Sequence, residues 1–165
     1  MFRIVLAALF LAAPAFASDQ CDRLGALEAD PMSVGTPVAF SAIDDPYALI
    51  AACSKALDTS GPHSGRFLLQ RARGYLRAGE GTLAIKDINA AHQMGYPAAT
   101  FALATANYLG DDVPQDFDRA RALFEISYAQ GVVWAAKGLS MLYDNAYYEG
   151  YDPQKSADWL LKFEE

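Results

Sequence analysis

Small and apolar positions recur along the C-terminal two thirds of the chain with a fixed long period. Gly95, Ala99, Leu103, Ala104, Asp116, Arg119, Ala120 and Phe124 return as Gly131, Ala135, Leu139, Ser140, Asp152, Lys155, Ser156 and Leu160, each 36 residues further on. Periods of roughly 20 to 50 residues are characteristic of stacked helical arrays, because each unit needs a neighbour to cover its apolar face. Upstream, Leu68, Ala72, Tyr75, Gly79, Ala84, Ile88 and Ala91 describe a first helix pair. There Ala72 and Ala84 let two antiparallel helices approach, while Leu68, Tyr75 and Ile88 fill the space around them. Nine residues separate Tyr75 from Ala84, whereas thirteen separate Asn107 from Ala120 and Tyr143 from Ser156, so the later turns are four residues longer. The pattern predicts an all-α protein, a short α/α solenoid (superhelix) of antiparallel helix pairs, with units at 64–95, 96–131 and 132–165.

An N-terminal helical extension, residues 18–63, precedes the units. Cys21 to Ala29 reads as a short helix ending before Asp30 and Pro31, and residues 32–43, with Gly35 and Pro37, as an ordered loop. Asp44, Asp45 and Pro46 give a helix start, an acidic cap followed by proline, and that helix is expected to reach about Leu57. Tyr47, Ile50, Cys53, Ala56 and Leu57 form its expected buried stripe. The stretch from Thr59 to Gly65, with Gly61 and Pro62, reads as a turn.

Residues 1–17 read as a signal peptide: Arg3, an apolar run from Ile4 to Ala13, then Pro14 and the triplet Ala15, Phe16, Ala17. Ten helical residues cover about 15 Å, half of a ~30 Å bilayer core, so the segment is an export signal and leaves no membrane span after cleavage. Ser18, Asp19 and Gln20 are too polar for a lipoprotein site at Cys21. The expected location is therefore the periplasm or the exterior. The formal net charge of -7 falls further when Arg3 leaves, which argues against nucleic acid and against an anionic membrane surface. Both cysteines, Cys21 and Cys53, lie in the extension. An even count in an exported chain reads first as a disulfide, closing a loop of about 33 residues and stabilising by roughly 3 to 4 kcal/mol. Two thiolates alone lack the companions of a zinc site, and there is no Cys-x-x-Cys redox spacing.

Units two and three add a longer turn to this arrangement. Leu109 to Asp116, with Ala99, Leu103, Ala104, Ala120 and Gly131 around it, resembles the Sel-one-like repeat, a variant of the tetratricopeptide solenoid. Unit three matches through Ala135, Leu139, Tyr143, Gly150, Asp152, Lys155, Trp159 and Leu160, and unit one has the shorter tetratricopeptide spacing. The resemblance covers roughly residues 64 to 165. It departs from the family pattern at Asn107, where an aromatic is usual, and over the polar run 145–151, and the units lack the cysteine pairs of some secreted relatives. The resemblance implies an adaptor that binds proteins.

Candidate chemistry is sparse. His63 lies in a Gly/Pro turn and His92 near a helix end, neither with a motif around it. Asp111, Asp112, Asp116 and Asp118 lack the EF-hand spacing, and Asp116 is better read as a helix N-cap. No catalytic group, metal site or cofactor is expected. The function expected is a non-catalytic protein–protein interaction module of the bacterial periplasm or cell envelope, with a protein or peptide as partner. Candidate contacts are the polar positions of the first helix in each unit, Arg66, Gln70, Arg73, Thr100, Asn107 and Lys137, and the turn aromatics Tyr147, Tyr148 and Tyr151. Tyr143 and Trp134 read first as repeat core. The alternative is a self-assembling envelope component, a homo-oligomer built through an uncapped C-terminal end exposing Trp159, Leu160 and Phe163.

Overall fold

The computed structural model describes residues 14–58, 61 and 64–165. Within them lie eight α-helices and no strand: α1 (Pro14–Gly25), α2 (Pro46–Leu57), α3 (Ser64–Arg77), α4 (Gly81–Gln93), α5 (Pro97–Leu109), α6 (Phe117–Ala129), α7 (Trp134–Tyr143) and α8 (Pro153–Glu164), with one 3-10 turn at Phe40–Ala42. Consecutive helices pack on each other, and α1 also packs on α3. No described helix is long and apolar enough to cross a membrane. The signal-peptide reading falls mostly on residues 1–13, which lie outside the described residues, as does His63; Pro14 to Ala17 belong to the first turns of α1.

The 36-residue period is carried by hydrogen bonds as well as by side chains. Gly95 and Gly131 have φ of +76° and +94°, a left-handed conformation that glycine adopts without steric cost. Past each, the next amide reaches back five residues, Tyr96 to the carbonyl of Ala91 at 3.1 Å and Val132 to that of Ser127 at 3.0 Å, the C-terminal closure of a Schellman motif. Asp116 caps α6 by accepting from the Arg119 amide at 2.8 Å, and Asp152 caps α8 by accepting from the Lys155 amide at 3.1 Å. The amides of these two caps donate in turn to the carbonyls of Asn107 and Tyr143, both at 2.9 Å. The long turns of units two and three are thereby closed in the same way, including the polar run 145–151.

Burial divides into two clusters. The larger runs through α3 to α7 and includes Leu69, Ala72, Ala84, Ile88, Leu103, Phe124, Val132 and Leu139. The smaller joins Cys21, Ile43, Leu49, Ala52, Cys53, Ala56 and Phe67, with the Cys21–Cys53 disulfide at its centre. Two expectations for the extension need correcting. The first helix occupies Pro14–Gly25 rather than Cys21 to Ala29. It ends where Gly25 meets α2 and α3 so closely that a Cβ there would lie 2.7 Å from Leu49. The α2 stripe is also rotated: Cys53 and Ala56 are buried, but Leu49 and Ala52 complete the face and Tyr47 is exposed. Packing of Leu49 against Gly25 sets that rotation.

No residue of α8 is fully buried. Trp159 stacks edge-on against Tyr128 and Phe163 against Trp134, each with ring centroids 5.2 Å apart. Leu160 is 40% exposed although its counterpart one period earlier, Phe124, is 2% exposed. The difference is the next helix: α7 lies over Phe124 so tightly that a Cβ on Gly138 would come within 2.5 Å of the ring, and the described chain has no helix beyond α8 to do the same for Leu160.

Candidate binding groove

The first helix of each later pair presents an apolar stripe as a consequence of its sequence. On α5, Phe101, Thr105 and Leu109 fall at i, i+4 and i+8, flanked by Ala102 and Ala106, so they share one face. On α3, Leu69, Ala72, Arg73 and Leu76 do the same. These two helices meet only glancingly, since α4 is packed between them. The space they leave is a groove of about 710 Å³, within the roughly 300–1,000 Å³ typical of binding sites. Ile85 and Ile88 of α4 line it, Leu27 to Ala29 and Val38 to Phe40 of the extension contribute from one side, and Trp134 of α7 closes the lining. Glu28, Asp111 and Asp112 are the carboxylates along it.

Arg73 is the one cation in that lining. Its guanidinium donates to the carbonyls of Gly25 at 2.7 Å, Ala26 at 2.9 Å and Val38 at 2.5 Å. Burial without a carboxylate partner lowers its pKa from the usual arginine value. The planar fork of arginine suits this task, since it holds three acceptors at once and so pins the extension against α3. Arg73 therefore builds a wall of the groove, with three of its five N–H groups on these carbonyls.

The other polar candidates on these helices are also engaged within the chain. Arg66 makes a two-pronged ion pair with Asp22, Nε to Oδ1 at 2.9 Å and a terminal nitrogen to Oδ2 at 3.2 Å. Gln70 is fully buried and donates to the same carboxylate at 3.0 Å. Its Oε1 lies 2.8 Å from the Cys21 sulfur, which has no proton to give while the disulfide is intact. Thr100 is buried against His92, Oγ1 to Nδ1 at 2.9 Å, and Asn107 donates to the carbonyl of Leu103 at 2.7 Å beside a smaller cavity of about 270 Å³. Lys137 is exposed, with its ammonium 5.2 Å from the ring centre of Trp134 and 5.3 Å from that of Phe163.

The three turn tyrosines part company. Tyr147 is 90% exposed and Tyr151 half exposed, whereas Tyr148 is buried between Phe117 and Tyr143 and donates to Asp118 at 3.3 Å. Burial raises its phenol pKa. None of the three borders the groove.

Behind the groove wall lies a second polar connection, which sequence reasoning did not find. Tyr96 donates to Asp30 at 2.5 Å, and Asp30 also accepts from the Met32 amide at 2.9 Å. Desolvation raises the pKa of Asp30 despite both hydrogen bonds, and desolvation with the Asp30 contact raises that of Tyr96. The pair ties Asp30, just after a short turn, to the N-terminal end of α5. Among the described residues no three or more His, Cys, Asp or Glu side chains converge as a metal site.

Sequence reasoning also missed Leu27, Val38, Phe40, Leu76 and Leu109 as groove residues. Only the stripes on α3 and α5 carried a usable signal, because both remain apolar on a face that no following helix covers. No protein-family model matches this chain, and no curated protein matches it significantly.

Proposed function

We propose that the protein is a non-catalytic interaction module that holds a polypeptide segment in the groove between α3 and α5, in the manner of the tetratricopeptide and Sel-one-like repeats its units resemble. The observation that carries this reading is the groove itself, an open apolar trough with Phe40, Leu76 and Leu109 exposed along it. Exposed apolar residues gathered in one concavity mark binding sites, whereas scattered ones need no explanation. Export to the periplasm or beyond belongs to the same proposal, and the buried disulfide suits an oxidising compartment. A peptide-display selection tests the reading, run in parallel against the native chain and Ala106→Trp, which fills the trough. Ligands that bind both proteins equally well defeat it.

A second reading, self-association through the C-terminal helix, is favoured by Leu160, Leu161 and Met141, which are 40%, 60% and 52% exposed. Sedimentation velocity over a wide concentration range decides it. A single monomeric species throughout sinks the assembly reading.

A further inference from the structure

We propose that the groove between α3 and α5 selects an apolar segment bearing lysine or arginine at one end, with the cation drawn by the carboxylates of the lining; this rests on the groove being the binding site. Charge is the deciding observation. The lining carries three carboxylates, Glu28, Asp111 and Asp112, all exposed, and none of them forms an ion pair with a described residue. Its only cation, Arg73, is committed to three backbone carbonyls.

The acids are not equivalent. Asp112 sits over the first turn of α4, where a Cβ on Gly81 would lie 1.6 Å from its Oδ1. The positive end of that helix offsets part of its charge. Asp111 lies two residues past the last residue of α5, at the negative end of that helix dipole, although the carbonyls of Ala106, Asn107 and Tyr108 there already accept hydrogen bonds. Glu28 stands on the extension, two residues past Ala26, and forms no ion pair with a described residue. A cationic group in the groove meets an excess of carboxylates over the single lining cation; an anionic one meets their repulsion.

The same reasoning separates a peptide from a lipid. A fatty acid or phospholipid also fits an apolar trough, but its anionic head group meets three lining carboxylates against one cation, Arg73, which is turned to the extension's carbonyls. The dimensions agree with a short segment: the α5 lining from Phe101 to Leu109 spans about 12 Å at 1.5 Å per residue, about two turns of a bound helix. Small residues at Ala102 and Ala106 keep the trough floor low enough for such a helix to approach closely.

Trp134 lines the groove and the chain has only two tryptophans, so Trp159→Phe leaves a single reporter in it. The probes are amidated leucine–alanine peptides of about 12 residues, about 18 Å as helices, carrying at one end two lysines, two glutamates or two glutamines, with laurate as the lipid probe. Titrated by Trp134 fluorescence at low salt, the lysine peptide is expected to bind at least about tenfold more tightly than the glutamate peptide. The gap should shrink at about 1 M salt, where the screening length falls to about 3 Å. Glu28→Gln with Asp111→Asn, both at exposed positions, should close the gap and leave the glutamine peptide unaffected. Equal binding of all three peptides overturns the charge selection while the groove reading survives. Laurate binding that displaces the lysine peptide overturns the peptide assignment. Failure of every peptide to bind, or binding that Ala106→Trp and Leu76→Gln both leave unchanged, overturns the inference and the reading beneath it.

Discussion

Removing the disulfide is expected to loosen the extension before the rest of the molecule. Cys21 and Cys53 are separated by 32 residues in sequence and both are fully buried. On the chain-entropy model, closing a loop of that length stabilises the folded state by about 3.7 kcal/mol. Against a total of about 5–15 kcal/mol for a domain, that is a quarter or more of the stability. The loss should not be shared evenly, because the disulfide sits in the smaller cluster, which is separate from the core of α3 to α7. Cys21→Ala with Cys53→Ala is the cleanest perturbation, since it leaves no buried thiol or hydroxyl in need of a partner. Urea denaturation followed by far-ultraviolet circular dichroism measures the total. Native-state hydrogen exchange measures its distribution, and amides of α2 should lose protection before those of α5 and α6. A change below about 1 kcal/mol would show that the entropy argument fails here. Equal loss of protection in every helix would instead show that the two clusters unfold as one unit.

Further outcomes follow from individual hydrogen-bonded and packed groups. Arg73→Lys should cost about 2–4 kcal/mol in thermal or urea unfolding, because one ammonium does not replace a fork holding three carbonyls, and buried acceptors left unpaired are costly; a loss under about 0.5 kcal/mol means the loop carbonyls find water instead. Gly138→Ala should cost about 1–3 kcal/mol by pushing a methyl to within 2.5 Å of the Phe124 ring, and a neutral result places α7 farther from α6 than described. Asp30 gives a pH signature: its raised pKa means the folded chain holds the proton more tightly than the unfolded chain does. Stability from this group is therefore present below the unfolded value, near 3.9, and is lost as pH rises through the folded pKa. Asp30→Asn should flatten that part of the stability curve, while a slope unchanged by the substitution would refute the assignment. Asp152, whose pKa is lowered by the Lys155 amide, acts in the opposite sense, its contribution disappearing as pH falls through its folded value.

What was legible in the sequence is what the chain specifies locally. Gly95 with Gly131, and Asp116 with Asp152, each act through bonds to residues within one turn or one hairpin, so their spacing alone reveals them. The Cys21–Cys53 pairing followed from count and context. The groove depends instead on contacts between distant segments. Nothing near Val38 or Phe40 in sequence indicates that the loop lies over α3, because the anchor is Arg73, 35 residues beyond Val38.

The polar stripe on α3 shows why charge on a repeat helix is an ambiguous sign of an external partner. Arg66, Gln70 and Arg73 fall at i, i+4 and i+7, the spacing of a helix face built to meet another element. That element is the chain's own extension: Asp22 takes Arg66 and Gln70, and the carbonyls of Gly25, Ala26 and Val38 take Arg73. The extension thus covers an exposed side of the first pair, adding ion pairs and backbone acceptors to the apolar packing of Phe67 and Leu27. With those groups turned to the extension, the surface left open beside them is largely apolar, and its carboxylates form no ion pair with a described residue. The proposed binding role therefore rests on Leu76, Leu109 and the groove's carboxylates, while Arg66 and Arg73 of α3 hold the extension against the helix.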